Sequence, residues 1–221
     1  MKFIELFAGI GGFRYGLESI NRSPDRRGQK NTEKISETGQ GLQSEKGKRI
    51  SLQAGRHNEQ FNSNSNSRTF TCVYANEWDK YACQIYRKNF GKEELYEGDI
   101  TKIDAGNIPD HDLLCGGVPC QAWSIAGKRG GFEDSRGTMW FECFRIIKAK
   151  KPKYILLENV KGILSHNAGN SFERICECIC ELGYAIDFEV LNSKNFGVPQ
   201  NRERVFIIGI RLDLLDKCQV F

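Results

Sequence analysis

Residues 2–12 read Lys2-Phe3-Ile4-Glu5-Leu6-Phe7-Ala8-Gly9-Ile10-Gly11-Gly12. KFIELF (2–7) is a short apolar strand, and the glycines after it make a tight turn into the helix GFRYGLESI. A strand that meets a helix through a glycine-rich turn is where a Rossmann-type sheet brings backbone close to a ligand. The dinucleotide fingerprint wants a third glycine at position 14, where this chain has Arg14. The turn therefore points to a nucleotide ligand without a clamped pyrophosphate.

Outward from this unit, strand and helix alternate. TCVYAN (71–76) is a second strand, and DKYACQIYRKNF places Tyr81, Ala82, Ile85, Tyr86 and Phe90 on one helical face. A short strand over Leu95 to Glu97 follows, then HDLLCGG, a glycine-rich loop and a helix over about 138–150. KPKYILLEN is an apolar strand opened by a Pro; residues 171–183 make a helix, and YAIDFEVLN and RVFIIGI are strands. This order predicts an α/β domain, a Rossmann-like, largely parallel sheet flanked by helices.

Two further positions sharpen the ligand. Glu77 ends the second strand, where an acidic side chain can take both hydroxyls of a ribose. It lies 68 residues after Gly9, and removing a 48-residue polar stretch between them restores the spacing of 20 that such a fingerprint has. Trp78 offers a flat apolar face for an adenine ring, although a core aromatic is the plainer reading of a lone Trp. Asp99, in EGDIT, can accept from an exocyclic amine or cap a turn. An adenosine-containing ligand that needs no phosphate clamp satisfies all of these, and S-adenosyl-L-methionine fits that description.

The polar stretch is 22–69. It holds 10 of the 32 Lys and Arg but 5 of the 28 Asp and Glu, so it carries the excess positive charge and the remainder is near neutral. Five large apolar residues in 48, without helical or alternating period, cannot offset the chain entropy of ordering it. It reads as a basic insertion, disordered or a loop. No apolar run approaches a membrane span, and Glu5 with the following glycines interrupts any signal-peptide core.

The nine cysteines are odd in number and include no C-x-x-C pair, so they read as reduced thiols. Cys176 and Cys180 share a face of SFERICECICELG, which suits small buried hydrophobes better than a metal. His111 and His166 fall at surface or hydrogen-bonded positions and receive no role.

Cys120 differs from the other cysteines by its place. GGVPCQAWS follows an apolar strand, so Cys120 sits at that strand's carboxyl end, where open α/β sheets hold their sites. Backbone dipoles there lower a thiol's pKa. IAGKRGGFEDSRGT after it is rich in Gly and charge, like a loop that closes over substrate.

Phe3 to Gly12, NEWDKYA (76–82), GDI (98–100), GGVPCQAWS (116–124), ENV (158–160) and QNRERVFIIG (200–209) occur in one order. The chain thereby resembles the cytosine-5 DNA methyltransferases, especially the small bacterial HhaI type of restriction-modification systems. The resemblance covers roughly three-quarters of the chain. It implies a cytoplasmic, nucleoid-associated bacterial enzyme with S-adenosyl-L-methionine as cofactor and double-stranded DNA as partner.

The resemblance also implies residue roles. Cys120 adds to cytosine C6, Glu158 holds or protonates N3, and Arg204 bonds O2, on a base flipped out of the duplex. Phe7, Ala8, Gly9, Gly11, Gly12, Glu77, Trp78, Asp99, Ile100, Pro119 and Met139 line the cofactor pocket. Gln121, Ser124, Arg136 and Arg202 contact DNA or support the site.

Two departures qualify the match. The insertion lies between the first two motifs, and such a loop is tolerable because closure cost grows with the logarithm of length. The chain also stops soon after QNRERVFIIG, where relatives continue into a target-recognition domain and a last helix. The expectation is a catalytic portion spanning 1–221, completed by a missing part or a second chain. The alternatives are a non-catalytic S-adenosylmethionine-binding or partner subunit and, ranked last, a tRNA cytosine-5 methyltransferase.

Overall fold

In the computed structural model, residues 1–22, 69–119 and 139–215 are described. Residues 23–68 of the expected 22–69 insertion and the segment holding Cys120, Gln121, Ser124 and Arg136 lie outside them.

Strand β1 (Lys2–Leu6) is buried from Phe3 to Leu6, as a central strand covered on both faces is, although Glu5 interrupts its apolar run. Ile4 and Leu6 enter one hydrophobic cluster and Phe3 the other. Around it lie β2 (Thr71–Glu77), β3 (Leu95–Glu97), β4 (Leu113–Gly117), β5 (Tyr154–Val160), β6 (Tyr184–Asn192) and β7 (Glu203–Arg211). They form one seven-stranded sheet in the order β3-β2-β1-β4-β5-β7-β6. The first five strands are parallel; β7 runs antiparallel to both β5 and β6. The strand order reverses direction at β1, the topological switch point at which such sheets bind ligands.

Helices α1 (Gly12–Arg22), α2 (Lys80–Phe90), α3 (Met139–Lys150) and α4 (Asn170–Glu181) complete the layers, and a short α5 (Leu212–Leu215) follows β7. In α3, Trp140, Cys143, Phe144 and Ile147 fall at helical spacing and are buried with α4's Ile175, Cys178 and Ile179. Phe13 and Leu17 of α1 and Tyr86 and Phe90 of α2 pack into the other cluster. At the base of α1, Asn21 and Phe70 exchange two hydrogen bonds of 2.7 and 2.8 Å, bringing together the two points between which the inserted residues run.

One expected face is wrong. Tyr81 and Ile85 of α2 are exposed, and the buried residues are Cys83 and Tyr86, with Ala82 and Phe90 half-buried. The helix is apolar on more than one side, so its periodicity does not tell which side meets the sheet. Of the alternating cysteines in α4, Cys178 is buried, Cys176 intermediate and Cys180 exposed, so only Cys178 is a true core filler. Among the described residues no helix is long and apolar enough to cross a membrane. His111 and His166 are each hydrogen-bonded, to the Pro109 carbonyl and the Ser171 hydroxyl.

Candidate active site

At the carboxyl end of β1 the chain bends through Phe7, Gly9 and Gly11, all with left-handed backbone (φ +54°, +56° and +87°). Phe7 is not a glycine, so its conformation is held against an intrinsic cost. At Gly11 a side chain is excluded twice, by its φ and by the Phe90 ring that a Cβ would strike. Gly9 and Gly12 have open space where a Cβ would stand, which leaves backbone accessible to a ligand. Ala8 donates to the Asn76 carbonyl at 2.9 Å and accepts from Gly11 at 2.8 Å, which fixes the turn on the end of β2.

Glu77 is the centre of this arrangement. One carboxylate oxygen accepts the Gly9 N–H at 2.7 Å; the other accepts those of Trp78 and Asp79 at 2.9 and 2.8 Å. Three of about four acceptor positions are used, leaving room for a ligand hydroxyl. Trp78 is 75% exposed, which rules out the core-aromatic reading. Asp99 caps the turn at Ile100–Lys102, accepting from both the Thr101 N–H and hydroxyl through one oxygen, and these bonds hold its carboxyl below the usual range. Ile100 is buried in the core behind it. Asn76, which the sequence reading passed over, is buried and donates to the Gly98 carbonyl at 2.9 Å, tying the GDI turn to β2.

The second half of the site lies at the ends of β4 and β5. Gly117 pairs with Glu158, and a Cβ on Gly117 would stand 3.4 Å from a Glu158 carboxylate oxygen. Val160 opposes Arg204 across β5 and β7, so Glu158 and Arg204 are diagonal neighbours on one face. Their side chains form an ion pair with Nε–Oε1 at 2.8 Å, both about one-fifth exposed. Asn159, also buried, donates to the Val118 carbonyl at 2.9 Å and so holds the chain that leads through the exposed Pro119 to position 120. Arg202 has an exposed side chain, and its N–H donates to Asn192 at 3.2 Å. Met139 is half-buried at the start of α3.

The structure thus gathers Phe7, Ala8, Gly9, Gly11, Gly12, Glu77, Trp78, Asp99 and Ile100 around the ends of β1–β3, and Pro119, Glu158 and Arg204 around β4, β5 and β7. Sequence reasoning missed Arg14 and Glu5. Arg14 stands where a third glycine was sought; it is buried, pairs with Glu18 and Glu94 at 3.1 Å and donates to the Tyr86 hydroxyl at 3.2 Å. Among the described residues, no group of three His, Cys, Asp or Glu is placed to hold a metal ion.

The pattern of the family described as C-5 cytosine-specific DNA methylase matches residues 47–219. The chain is 41% identical over 214 residues to Type II methyltransferase M.HhaI of Haemophilus parahaemolyticus, covering 97% of this chain and 50% of that protein. It is 46% identical over 208 residues to Type II methyltransferase M1.ScrFI of Lactococcus lactis subsp. cremoris, covering 94% of this chain and 41% of that one. Among solved structures, the S. pombe Dnmt2 methyltransferase superposes with a TM-score of 0.61 at 19% identity, over 100% of this chain and 56% of that one. That likeness establishes the Rossmann-like fold. The chain spans about half the length of the curated relatives it matches. By the match of its sequence over most of its length, the chain belongs to the C-5 cytosine-specific DNA methylase family.

Proposed function

We propose that this chain is the catalytic portion of an enzyme that transfers a methyl group from S-adenosyl-L-methionine to C5 of cytosine in duplex DNA. The observation that carries the reading is the Glu158–Arg204 pair held over Gly117, three residues before Cys120. A cytosine edge that enters there meets a carboxyl group for N3 and a guanidinium for O2 on one side. Cys120 follows the end of β4 in the sequence.

The chemistry needs these residue types. Cytosine C5 is a weak nucleophile until the Cys120 thiolate adds to C6 and leaves an enamine in the ring. The added charge falls on N3 and O2, where Glu158 holds or delivers a proton and Arg204 donates hydrogen bonds. C5 then takes the methyl group, a base removes the C5 proton, and Cys120 leaves as the C5–C6 double bond reforms. A stacked base cannot reach these groups, so the target base is flipped out, with Gln121, Ser124, Arg136 and Arg202 contacting the DNA around it.

The residues fit the cofactor. Trp78 presents an exposed ring for the adenine, Glu77 keeps an acceptor for the ribose, and the backbone at Gly9 and Gly12 is open to close approach. When bound, S-adenosyl-L-methionine supplies an electrophilic methyl group. Ile100, Pro119 and Met139 complete the apolar wall.

We also read the chain as one catalytic domain interrupted by the 22–69 insertion. The two hydrogen bonds between Asn21 and Phe70 support this, because they hold the two ends of that stretch side by side. A target-recognition part, on a longer polypeptide or a second chain, completes the enzyme in a bacterial cytoplasm as one half of a restriction-modification pair.

The test is covalent capture on duplex DNA carrying 5-fluorocytosine, with labelled S-adenosylmethionine, for the chain alone and with a complementing recognition fragment. A stable protein–DNA adduct that Cys120→Ala abolishes is the expected result. A folded, complemented chain that forms no adduct and transfers no label would refute the assignment and favour a non-catalytic cofactor-binding subunit.

A further inference from the structure

Glu5 is an anomaly in β1. It occupies the middle of an apolar strand, is 1% exposed, and has one oxygen with no hydrogen-bond partner among the described residues. Leu or Val would fill such a position at lower cost, because a buried carboxyl group loses its hydration. Burial pushes its carboxyl up to about 7, against the opposing pull of the Phe13 and Arg14 N–H groups and of the Arg14 charge. The charged and titratable groups around it are Arg14 and Glu18 of α1, Cys72 of β2, Tyr86 of α2 and Cys115 of β4. Arg14 is committed to Glu18, Glu94 and the Tyr86 hydroxyl.

What Glu5 does engage is the start of α1. Its other oxygen accepts the Phe13 N–H at 2.9 Å, in the first turn of the helix. Helices normally satisfy these donors with a Ser, Thr, Asp or Asn at the residue before them. Here that residue is Gly11, whose left-handed φ and contact with Phe90 exclude a side chain. The cap therefore comes from the neighbouring strand. It fixes the helix start relative to β1, and between those two points runs the Phe7–Gly12 turn.

We propose that Glu5 is a positioning residue for the cofactor: by capping α1 from within β1, it keeps the Phe7–Gly12 backbone in the conformation that receives S-adenosylmethionine. This rests on the cofactor site proposed above. Glu77 grips the same turn from its open side at Gly9, and Glu5 grips it from the buried side at Phe13. A residue that only stabilised the fold would be replaced by Leu with a matching loss of stability and affinity. A positioning residue separates the two effects.

The experiment compares the wild-type chain with Glu5→Gln, Glu5→Leu and Glu5→Met. Thermal unfolding, calorimetric binding of S-adenosylmethionine and amide hydrogen exchange over residues 7–13 are measured on each. Glu5→Gln keeps an acceptor for Phe13 and is expected to bind within about threefold of wild type. Glu5→Leu is expected to melt no lower than wild type, yet to bind about tenfold more weakly and exchange faster at the turn. If Leu does not fold, Met carries the comparison; if neither folds while Gln does, the role is stability alone and the proposal fails. Equal binding and exchange in the folded Leu or Met variant overturns it, as does a Gln variant that binds as weakly as Leu. A wild-type chain that binds no cofactor defeats the site reading instead, and exchange at the turn then still decides whether Glu5 positions it.

Discussion

The Glu158 carboxylate and the Arg204 guanidinium meet at 2.8 Å, diagonally across the antiparallel pair β5–β7. They come from motifs more than forty residues apart, and the pair exists because β7 turns back beside β5 rather than continuing the parallel order. Because both side chains are only about one-fifth exposed, removing the guanidinium leaves the Glu158 carboxylate largely buried without its partner, at a cost of about 1–3 kcal/mol. Arg204→Ala should therefore lower the melting temperature modestly and slow methyl transfer by about a hundredfold, the scale seen when one donor to a developing charge is removed. Single-turnover rates on a complemented enzyme would show this, and a rate within a fewfold of wild type would remove Arg204 from the chemistry.

Trp78 separates binding from folding. Its ring is three-quarters exposed, so Trp78→Ala should change stability by less than about 0.5 kcal/mol. Loss of a stacking face for adenine should weaken S-adenosylmethionine binding by about tenfold. Calorimetry and thermal unfolding on the same sample would test both halves; a large loss of stability would mean that the ring supports the fold.

The glycines of the turn should not behave alike. Gly11→Ala meets the Phe90 ring and an unfavourable φ, and should cost about 1–3 kcal/mol. Gly12→Ala meets open space, and its effect on stability should be small. Chemical denaturation of the two variants side by side would reveal the contrast, and equal midpoints would contradict it.

Glu5 makes stability depend on pH. A carboxyl whose folded pKa is raised from 4.5 to about 7 favours folding only while protonated. The penalty is absent below about 4.5, grows as pH rises, and is complete above about 7. The stability of Glu5→Gln relative to wild type should accordingly increase between pH 4.5 and 8 by an amount on the order of 3 kcal/mol. Urea titrations across that range measure it, and a constant difference would show that Glu5 does not titrate there.

The sequence by itself determined the alternation of strands and helices, the glycine turn after β1, and the places of Glu77, Cys120, Glu158 and Arg204 along the chain. These follow from local causes: apolar runs of strand length, residues lacking Cβ where the backbone must turn, and motif spacing. The tertiary structure alone decided which polar groups meet. Nothing near position 5 marks Glu5 as the cap of α1, because the missing cap is at Gly11 and the reason it is missing is the Phe90 ring from another helix. Arg14 likewise finds Glu94 across 80 residues. The misassigned face of α2 has the same origin: Tyr81 and Ile85 are as apolar as Cys83 and Tyr86, and only the position of the sheet distinguishes them. Periodicity reports that a helix has an apolar side, whereas the packing of distant strands selects which side is buried.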